Sequence, residues 1–202
     1  MRFLLGVLIL VVSCSPANES PPPELRGVAV DPPGPKPEFT LTDTDGEPFD
    51  FRERTDGTLT LLFFGYTNCP DVCPLHMSNI AAVLHKLPIR DARRVSVVFV
   101  TTDPDRDTPE RLRSWLNDFD PRFTGLTGSP EELQAAQAAA GVPAAVVTPS
   151  SSHADYAVGH AGQVLAYTPD NRFRAAYPFG TRQEDWAHDI PRLLSIGPGE
   201  TP

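Results

Sequence analysis

The chain has 202 residues, and its 26 Asp and Glu outnumber its 17 Lys and Arg, giving a formal net charge of -9. This charge disfavours nucleic acid as a partner, because nucleic-acid phosphates demand a basic face. With 40% hydrophobic and 21% charged residues, the composition is that of a globular domain rather than a disordered chain.

The first thirteen residues have the pattern of a secretory signal peptide. Arg2 precedes an apolar run over residues 3–12, which ends at Ser13 and Cys14. A membrane-spanning helix needs about 20 apolar residues, so the run favours a cleaved signal over a retained anchor. Residues 11–14 resemble the lipobox of bacterial lipoproteins, and this resemblance implies that Cys14 becomes the lipidated first residue of the mature chain. Plain secretion and a short anchor are the alternatives.

Residues 14–37 are predicted to form a tether between the lipidated cysteine and a folded domain. Eight of the 23 prolines lie between Pro16 and Pro37, and proline favours an extended polyproline conformation over a helix. At about 3.1 Å per residue, such a segment spans several tens of ångströms. A disordered tail with no spacing role is the alternative. In both cases the domain of residues 38–202 is expected on the extracytoplasmic face of the cell membrane, anchored by lipid.

Predicted strands and helices alternate from residue 38 onward. A hairpin is predicted over residues 39–51, turning at Asp45-Gly46. Continuous apolar runs over residues 59–64 and 95–100 are typical of strands that are buried on both faces of a parallel sheet. A second hairpin is predicted over residues 163–177.

Apolar spacing and capping residues predict four helices between and after these strands. Pro191 lies inside the last of them and is expected to kink it. Strands that alternate with helices predict an α/β sandwich around a central sheet. The helices are predicted over residues 75–87, 109–119, 130–140 and 182–196.

Cys69 and Cys73 lie in the segment that joins the first buried strand to the following helix. Ligands bind at this carboxyl end of the sheet in α/β folds, and a helix N-terminus lowers the pKa of a nearby thiol. Four residues make about one helical turn, so both sulfurs are expected on the same side, with Cα atoms about 6 Å apart. This spacing fits a redox disulfide, a structural disulfide, or two thiolates on one soft metal ion.

Three motifs resemble the SCO/SenC family of thioredoxin-fold copper chaperones for cytochrome c oxidase. They are Phe64–Pro74 around the two cysteines, Asp103–Pro109, and Asp155-Tyr156 followed by Val158–His160, in the family's order. The resemblance implies a thioredoxin-like three-layer sandwich with a central mixed sheet and an N-terminal hairpin. It also implies that Cys69, Cys73 and His160 bind one copper ion. This ion would be delivered to the dinuclear copper site of the oxidase subunit, which makes the protein a metallochaperone rather than an enzyme.

The donor set is chemically suited to copper. Two thiolates suit Cu(I), and an added imidazole also accommodates Cu(II). Three ligands leave an incomplete shell, as a carrier requires. Gly159 departs from the family pattern, which usually has Asp before this histidine, so a group that would orient the imidazole is missing. His76 and His153 are competing candidates for the third ligand.

The motif over residues 103–109 has two interpretations. It shapes a loop near the site, with Arg106 paired to Asp103 or Asp107, or it only caps the following helix.

Three other functions fit the cysteine pair. A thiol–disulfide oxidoreductase would use Cys69 and Cys73 as catalytic residues on extracytoplasmic cysteines, including those of the oxidase subunit, although the usual redox spacing is Cys-x-x-Cys. A thiol peroxidase needs only one activated cysteine. A copper sensor or store would bind copper without transferring it.

Overall fold

The structure is a computed structural model that describes residues 24–148 and 156–196. Over these ranges the strands are β1 Val28–Pro35, β2 Thr40–Asp43, β3 Pro48–Asp50, β4 Leu59–Gly65, β5 Val95–Thr101, β6 Thr124–Thr127, β7 Val146–Thr148, β8 Ala157–Gly159, β9 Val164–Thr168 and β10 Arg172–Tyr177. The helices are α1 Phe51–Arg54, α2 Val72–Leu84, α3 Ile89–Ala92, α4 Pro109–Asn117, α5 Pro130–Ala139 and α6 Gln183–Ser195. None of these helices is long and apolar enough to cross a bilayer.

Eight strands form one mixed sheet in the order β1-β10-β9-β4-β5-β6-β2-β3, and β7 pairs with β8 in a separate sheet. The strands β4, β5 and β6 are parallel, whereas β9 runs antiparallel to β4. The carboxyl ends of β4 and β5 therefore lie at the same end of the sheet as the amino end of β9. We term this the cysteine end, because the segment that carries Cys69 and Cys73 follows β4.

The two apolar faces of β4 pack into two separate hydrophobic cores, one on each side of the sheet. Leu59, Leu61 and Phe63 belong to a core that includes residues of α2, α4 and α6, whereas Leu62 and Phe64 belong to a core that includes residues of α5. Alternate side chains of a strand point to opposite faces, so one fully apolar strand supplies both cores. The expected three-layer sandwich with a mixed sheet is confirmed, as are both hairpins, β2–β3 and β9–β10.

The predicted tether is wrong in its second half. Residues Val28–Pro35 form β1, which pairs antiparallel with β10 at the edge of the sheet. The folded domain therefore begins before residue 38. Proline is excluded from central strands but allowed at an edge or an irregularity, and Pro32 and Pro33 lie where the register shifts between Ala29 and Gly34.

The chain enters the domain at the cysteine end. The buried carboxylate of Asp189 on α6 accepts hydrogen bonds from the backbone N–H groups of Arg26 and Gly27, both at 2.9 Å, and from the Tyr177 hydroxyl at 2.8 Å. A Cβ on residue 27 would lie 2.5 Å from the Tyr177 ring, so glycine is required for this close approach. These contacts hold the backbone of residues 26 and 27 against α6.

Lys36 is buried at the opposite end of the sheet. Its ammonium donates to the Thr55 carbonyl at 2.8 Å and to the Thr60 hydroxyl at 2.9 Å, and 1% of the residue is exposed. Burial lowers the pKa of Lys36 to about 8. Between this pKa and the ordinary value of 10.5, the unfolded chain binds more protons than the folded chain, so folding stability contributed by this group rises with pH.

We expect the free energy of unfolding of the wild type to rise relative to that of Lys36→Met between pH 7 and pH 9.5, on the order of 2 kcal/mol. Urea unfolding at a series of pH values measures this difference. Lys86→Met, at an exposed lysine, is the matched control and should show no such trend. Parallel pH profiles for the wild type and Lys36→Met would contradict the assignment.

Candidate metal centre

The cysteines lie on either side of a helix N-terminus. Asp71 is the N-cap of α2, and its carboxylate accepts a hydrogen bond from the Val72 N–H at 2.7 Å. Cys73 is therefore in the first turn, whereas Cys69 lies before the helix, and the expectation that one helical turn holds both is wrong. The sulfurs still converge, because the Cys73 backbone N–H points at the Cys69 sulfur across 3.4 Å.

His160 reaches the sulfurs from the segment between β8 and β9. Its Nε2 lies 3.9 Å from the Cys69 sulfur and 3.6 Å from the Cys73 sulfur. The three ligand atoms lie within 4.8 Å of one another. Its Nδ1 lies 3.2 Å from the Ala161 carbonyl, which can accept only from a protonated Nδ1. The Nε2 lone pair then faces the two sulfurs, which is the tautomer that a metal ligand needs.

The imidazole is set between two aromatic rings. The centroid of its ring lies 5.7 Å from that of Phe63 and 5.6 Å from that of Tyr66, in edge-to-face geometry. Both cysteines are buried and His160 is half-buried. The two sulfurs therefore lie on the buried side of the site, and the imidazole lies nearer to solvent.

The two thiols differ in acidity. The hydrogen bond from the Cys73 side chain, together with those from backbone N–H groups, holds the pKa of Cys69 well below its usual range. Burial, together with the neighbouring Cys69 thiolate, raises the pKa of Cys73. The metal-free pair therefore holds one thiolate and one thiol, and both are free in the structure rather than joined in a disulfide. Cys69 is therefore the more acidic thiol of the pair.

Gly65 makes room for the Cys73 sulfur at the end of β4. A Cβ on residue 65 would lie 2.7 Å from that sulfur, 2.8 Å from the Phe63 ring and 3.1 Å from the Phe99 ring. Any larger residue would push Cys73 away from the sheet. The composition of the strand alone does not reveal this requirement, although a glycine directly after a buried apolar run signals a close approach.

Asp107 fixes the segment that leads to Cys69. Its buried carboxylate accepts from the Thr67 N–H at 3.0 Å, the Thr67 hydroxyl at 2.5 Å and the Thr101 hydroxyl at 2.7 Å. Burial raises the pKa of Asp107, against the effect of these hydrogen bonds. Arg111 of α4 donates to the Thr67 hydroxyl oxygen at 2.8 Å and also to Asn68. The loop therefore joins the ends of β4, β5 and α4.

The competing ligand candidates have other positions. His76 is buried, with its Nε2 3.2 Å from the Gly162 carbonyl and its ring against Phe63 and Trp186. Among the residues that the structure describes, the donor cluster contains Cys69, Cys73 and His160 and not His76. His76 thus holds the loop that follows His160 through its contact with the Gly162 carbonyl. His153, Cys14 and Asp155 lie outside the described residues.

Arg106 pairs with Asp103, at 2.5 Å between Nε and Oδ2. Asp107, the other predicted partner, instead accepts hydrogen bonds from Thr67 and Thr101. The motif over residues 103–109 thus shapes the site loop as well as capping α4, whose N-cap is Thr108.

The fold and the site define a thioredoxin-like protein with a dithiol–imidazole metal centre. The model of the SCO1/SenC family matches residues 31–195. This chain belongs to the SCO1/SenC family.

Individual relatives are similar over most of the domain. A Stutzerimonas stutzeri protein named for copper binding is 33% identical over 158 residues, which cover 78% of this chain and 76% of the relative. The chain spans less of the longer mitochondrial relatives, 62% of the mouse SCO2 homolog for example.

Solved structures similar to this chain contain bound copper. ScoI of Bradyrhizobium japonicum with copper bound has a TM-score of 0.70 and 34% identity, covering 80% of this chain and 100% of that chain. Yeast Sco1 with copper bound has a TM-score of 0.72 and 29% identity, covering 83% and 93%. The thioredoxin-like fold expected from the sequence is confirmed.

We expect Gly65→Ala to lower the free energy of unfolding by about 1–3 kcal/mol, the usual cost of overpacking a core. The same variant should weaken metal binding, because the added methyl group displaces the Cys73 sulfur. Gly159→Ala is the matched control, since a Cβ there meets only the Val146 carbonyl oxygen at 3.6 Å. Urea unfolding and metal titration measure both effects, and equal stability of the two variants would show that the close approach at residue 65 is unimportant.

Proposed function

We propose that this protein is a copper chaperone that binds one copper ion through Cys69, Cys73 and His160 and delivers it to the dinuclear copper site of a cytochrome c oxidase subunit. The observation that carries the proposal is the convergence of two cysteine sulfurs and one imidazole nitrogen within 4.8 Å. The protein acts as a carrier of the ion rather than as an enzyme.

The donor chemistry favours copper. Zinc would need a fourth protein ligand or a water beside these three donors. Thiolates favour Cu(I), and the imidazole extends the site to Cu(II). Copper is also bound in solved structures of this family, including those from Bradyrhizobium japonicum and yeast.

The layout of the ligands supports transfer. The two sulfurs belong to the buried core, whereas His160 lies on the half-buried segment that covers them. The imidazole is therefore the ligand that can leave first and open the ion to a partner. The oxidase subunit as the recipient rests on the resemblance of the three motifs to oxidase copper chaperones.

The asymmetry of the thiols favours one second function. A low-pKa Cys69 beside a buried, protonated Cys73 is the arrangement of an attacking and a resolving thiol. The pair would then reduce disulfides of extracytoplasmic cysteines, including those of the oxidase subunit. Dithiol exchange without stoichiometric copper binding would favour this thiol–disulfide oxidoreductase over the chaperone.

Titration of the reduced full-length chain with copper tests the proposed function. We expect one ion per chain, and we expect His160→Ala to lower Cu(II) affinity by more than about tenfold, since even residues that only orient a ligand cost 10–100-fold. His85→Ala, at an exposed histidine, is the control and should bind as the wild type does. The absence of copper binding would refute the proposal, and binding without transfer to a copper-free oxidase fragment would indicate a sensor or store.

The proposal includes a lipid anchor at Cys14 that holds the protein on the extracytoplasmic face of the membrane. The first described residues support an anchor on this side of the domain, because Arg26 and Gly27 are held at the cysteine end of the sheet. Three strand spacings separate β1 from β4, or about 14 Å. A stem that joins the domain there keeps the copper site near the anchor.

We expect Cys14→Ser to move the protein from the membrane fraction to the soluble fraction, because the thiol that receives the lipid is removed. Cell fractionation with immunodetection measures the distribution. Cys69→Ser is the matched control and should remain with the membrane. Retention of Cys14→Ser at the membrane would contradict lipidation at this residue.

A further inference from the structure

We infer that Asp103, Arg106 and Tyr156 form a clasp that positions His160, and that this clasp sets the affinity for Cu(II) while leaving the affinity for Cu(I) nearly unchanged. The inference rests on the proposed copper binding by Cys69, Cys73 and His160. The three clasp residues do not contact the ion; they hold the segment from which the imidazole projects.

The clasp joins the end of β5 to the start of β8. The Tyr156 hydroxyl donates to Asp103 Oδ1 at 2.5 Å, and Arg106 Nε donates to Asp103 Oδ2 at 2.5 Å. Arg106 also donates through Nη1 to the Tyr156 carbonyl at 3.1 Å and stacks on the Tyr156 ring, 3.6 Å from its centroid. One guanidinium thus binds both the backbone and the side chain of Tyr156.

The base of the clasp is rigid. The Asp103 N–H donates to the Thr101 hydroxyl at 3.0 Å, directly at the end of β5. The Asp103 carbonyl accepts from the N–H groups of Arg106 and Asp107. The side chains of Asp103 and Arg106 are 2% and 14% exposed, so solvent screens their ion pair little. Tyr156 is therefore held to a fixed point of the main sheet.

Tyr156 matters to the site because the segment that follows it is not part of the main sheet. β8 pairs with β7 in a two-stranded sheet that is separate from the main sheet. Val158 packs into the core, and the Gly162 carbonyl contacts His76 beyond the site. His160 lies between these points, four residues after Tyr156.

Gly159 increases the dependence on the clasp. This exposed residue has no side chain that could hold the imidazole, whose Nδ1 lies instead 3.2 Å from the Ala161 carbonyl. Besides its edge-to-face contacts with Phe63 and Tyr66, the orientation of the ring thus depends on the backbone of the segment. Loosening the segment would lower the fraction of molecules in which Nε2 faces the sulfurs, and apparent affinity falls in proportion to that fraction.

Comparing Cu(I) with Cu(II) distinguishes an effect on the position of His160 from a general loss of structure. Cu(I) is satisfied by the two thiolates, whereas Cu(II) binding draws on the imidazole. We expect Arg106→Gln to lower Cu(II) affinity about tenfold, the typical effect of losing a residue that orients a ligand. Tyr156→Phe keeps the ring under the guanidinium but loses the hydroxyl, so a smaller fall is expected. Cu(I) affinity should change by less than about threefold in both variants.

The decisive measurement is a double-mutant cycle with His160→Ala. Wild type, Arg106→Gln, His160→Ala and the double variant are titrated with Cu(II), followed by the thiolate-to-copper absorption band, and with Cu(I) in competition with a chelator. If the clasp acts through His160, Arg106→Gln causes no further loss of Cu(II) affinity once His160 is alanine. Additive losses, equal losses for both oxidation states, or no loss in Arg106→Gln would each overturn the inference.

Matched controls keep the experiment interpretable. Asp105→Asn removes a charge from an exposed residue of the same turn and should retain wild-type affinity for both ions. Tyr156→Phe replaces Arg106→Gln in the cycle if the latter fails to fold. In the metal-free protein, faster amide hydrogen exchange over residues 158–161 in the clasp variants is expected, and unchanged exchange would also overturn the inference. Failure of the wild type to bind copper would instead refute the proposed function and leave this exchange result standing.

Discussion

The contact between the Cys73 sulfur and Gly65 at the end of β4 is the constraint on which the rest of the site depends. Because residue 65 has no side chain, the first turn of α2 lies directly on the sheet, and the Cys73 N–H then points at the Cys69 sulfur across 3.4 Å. Burial raises the pKa of Cys73, while the hydrogen bond from Cys73 keeps Cys69 ionised. The dithiol thus has its geometry and its charge before any metal arrives.

The site is assembled from parts with different rigidity. The sulfur side is tied to the buried core and, through Asp107, to the ends of β4 and β5. The imidazole side is carried by a separate two-stranded sheet and is held by side-chain contacts around Tyr156. For the proposed carrier function, a fixed dithiol would retain the ion while a more loosely supported ligand would yield it to a partner.

The sequence predicted the main strands, the long helices and the three converging donors, because these follow from apolar runs, capping residues and specific motifs. It did not predict β1, since proline excludes central strands but is allowed on an edge strand that only the tertiary fold defines. The short strands β6, β7 and β8 were also missed, because three or four residues carry too little periodicity. The choice of Asp103 over Asp107 as the partner of Arg106 depends on tertiary contacts that spacing does not encode.

X-ray absorption spectroscopy of the copper-loaded, full-length chain is the most direct test of the three proposed ligands, because it identifies the atoms bound to the ion. We predict a shell of two sulfurs and one imidazole nitrogen in the Cu(II) protein, with the nitrogen lost and both sulfurs retained in His160→Ala. A wild-type shell with one sulfur or none, or an imidazole that persists in His160→Ala, would contradict the assignment of Cys69, Cys73 and His160 as the copper ligands.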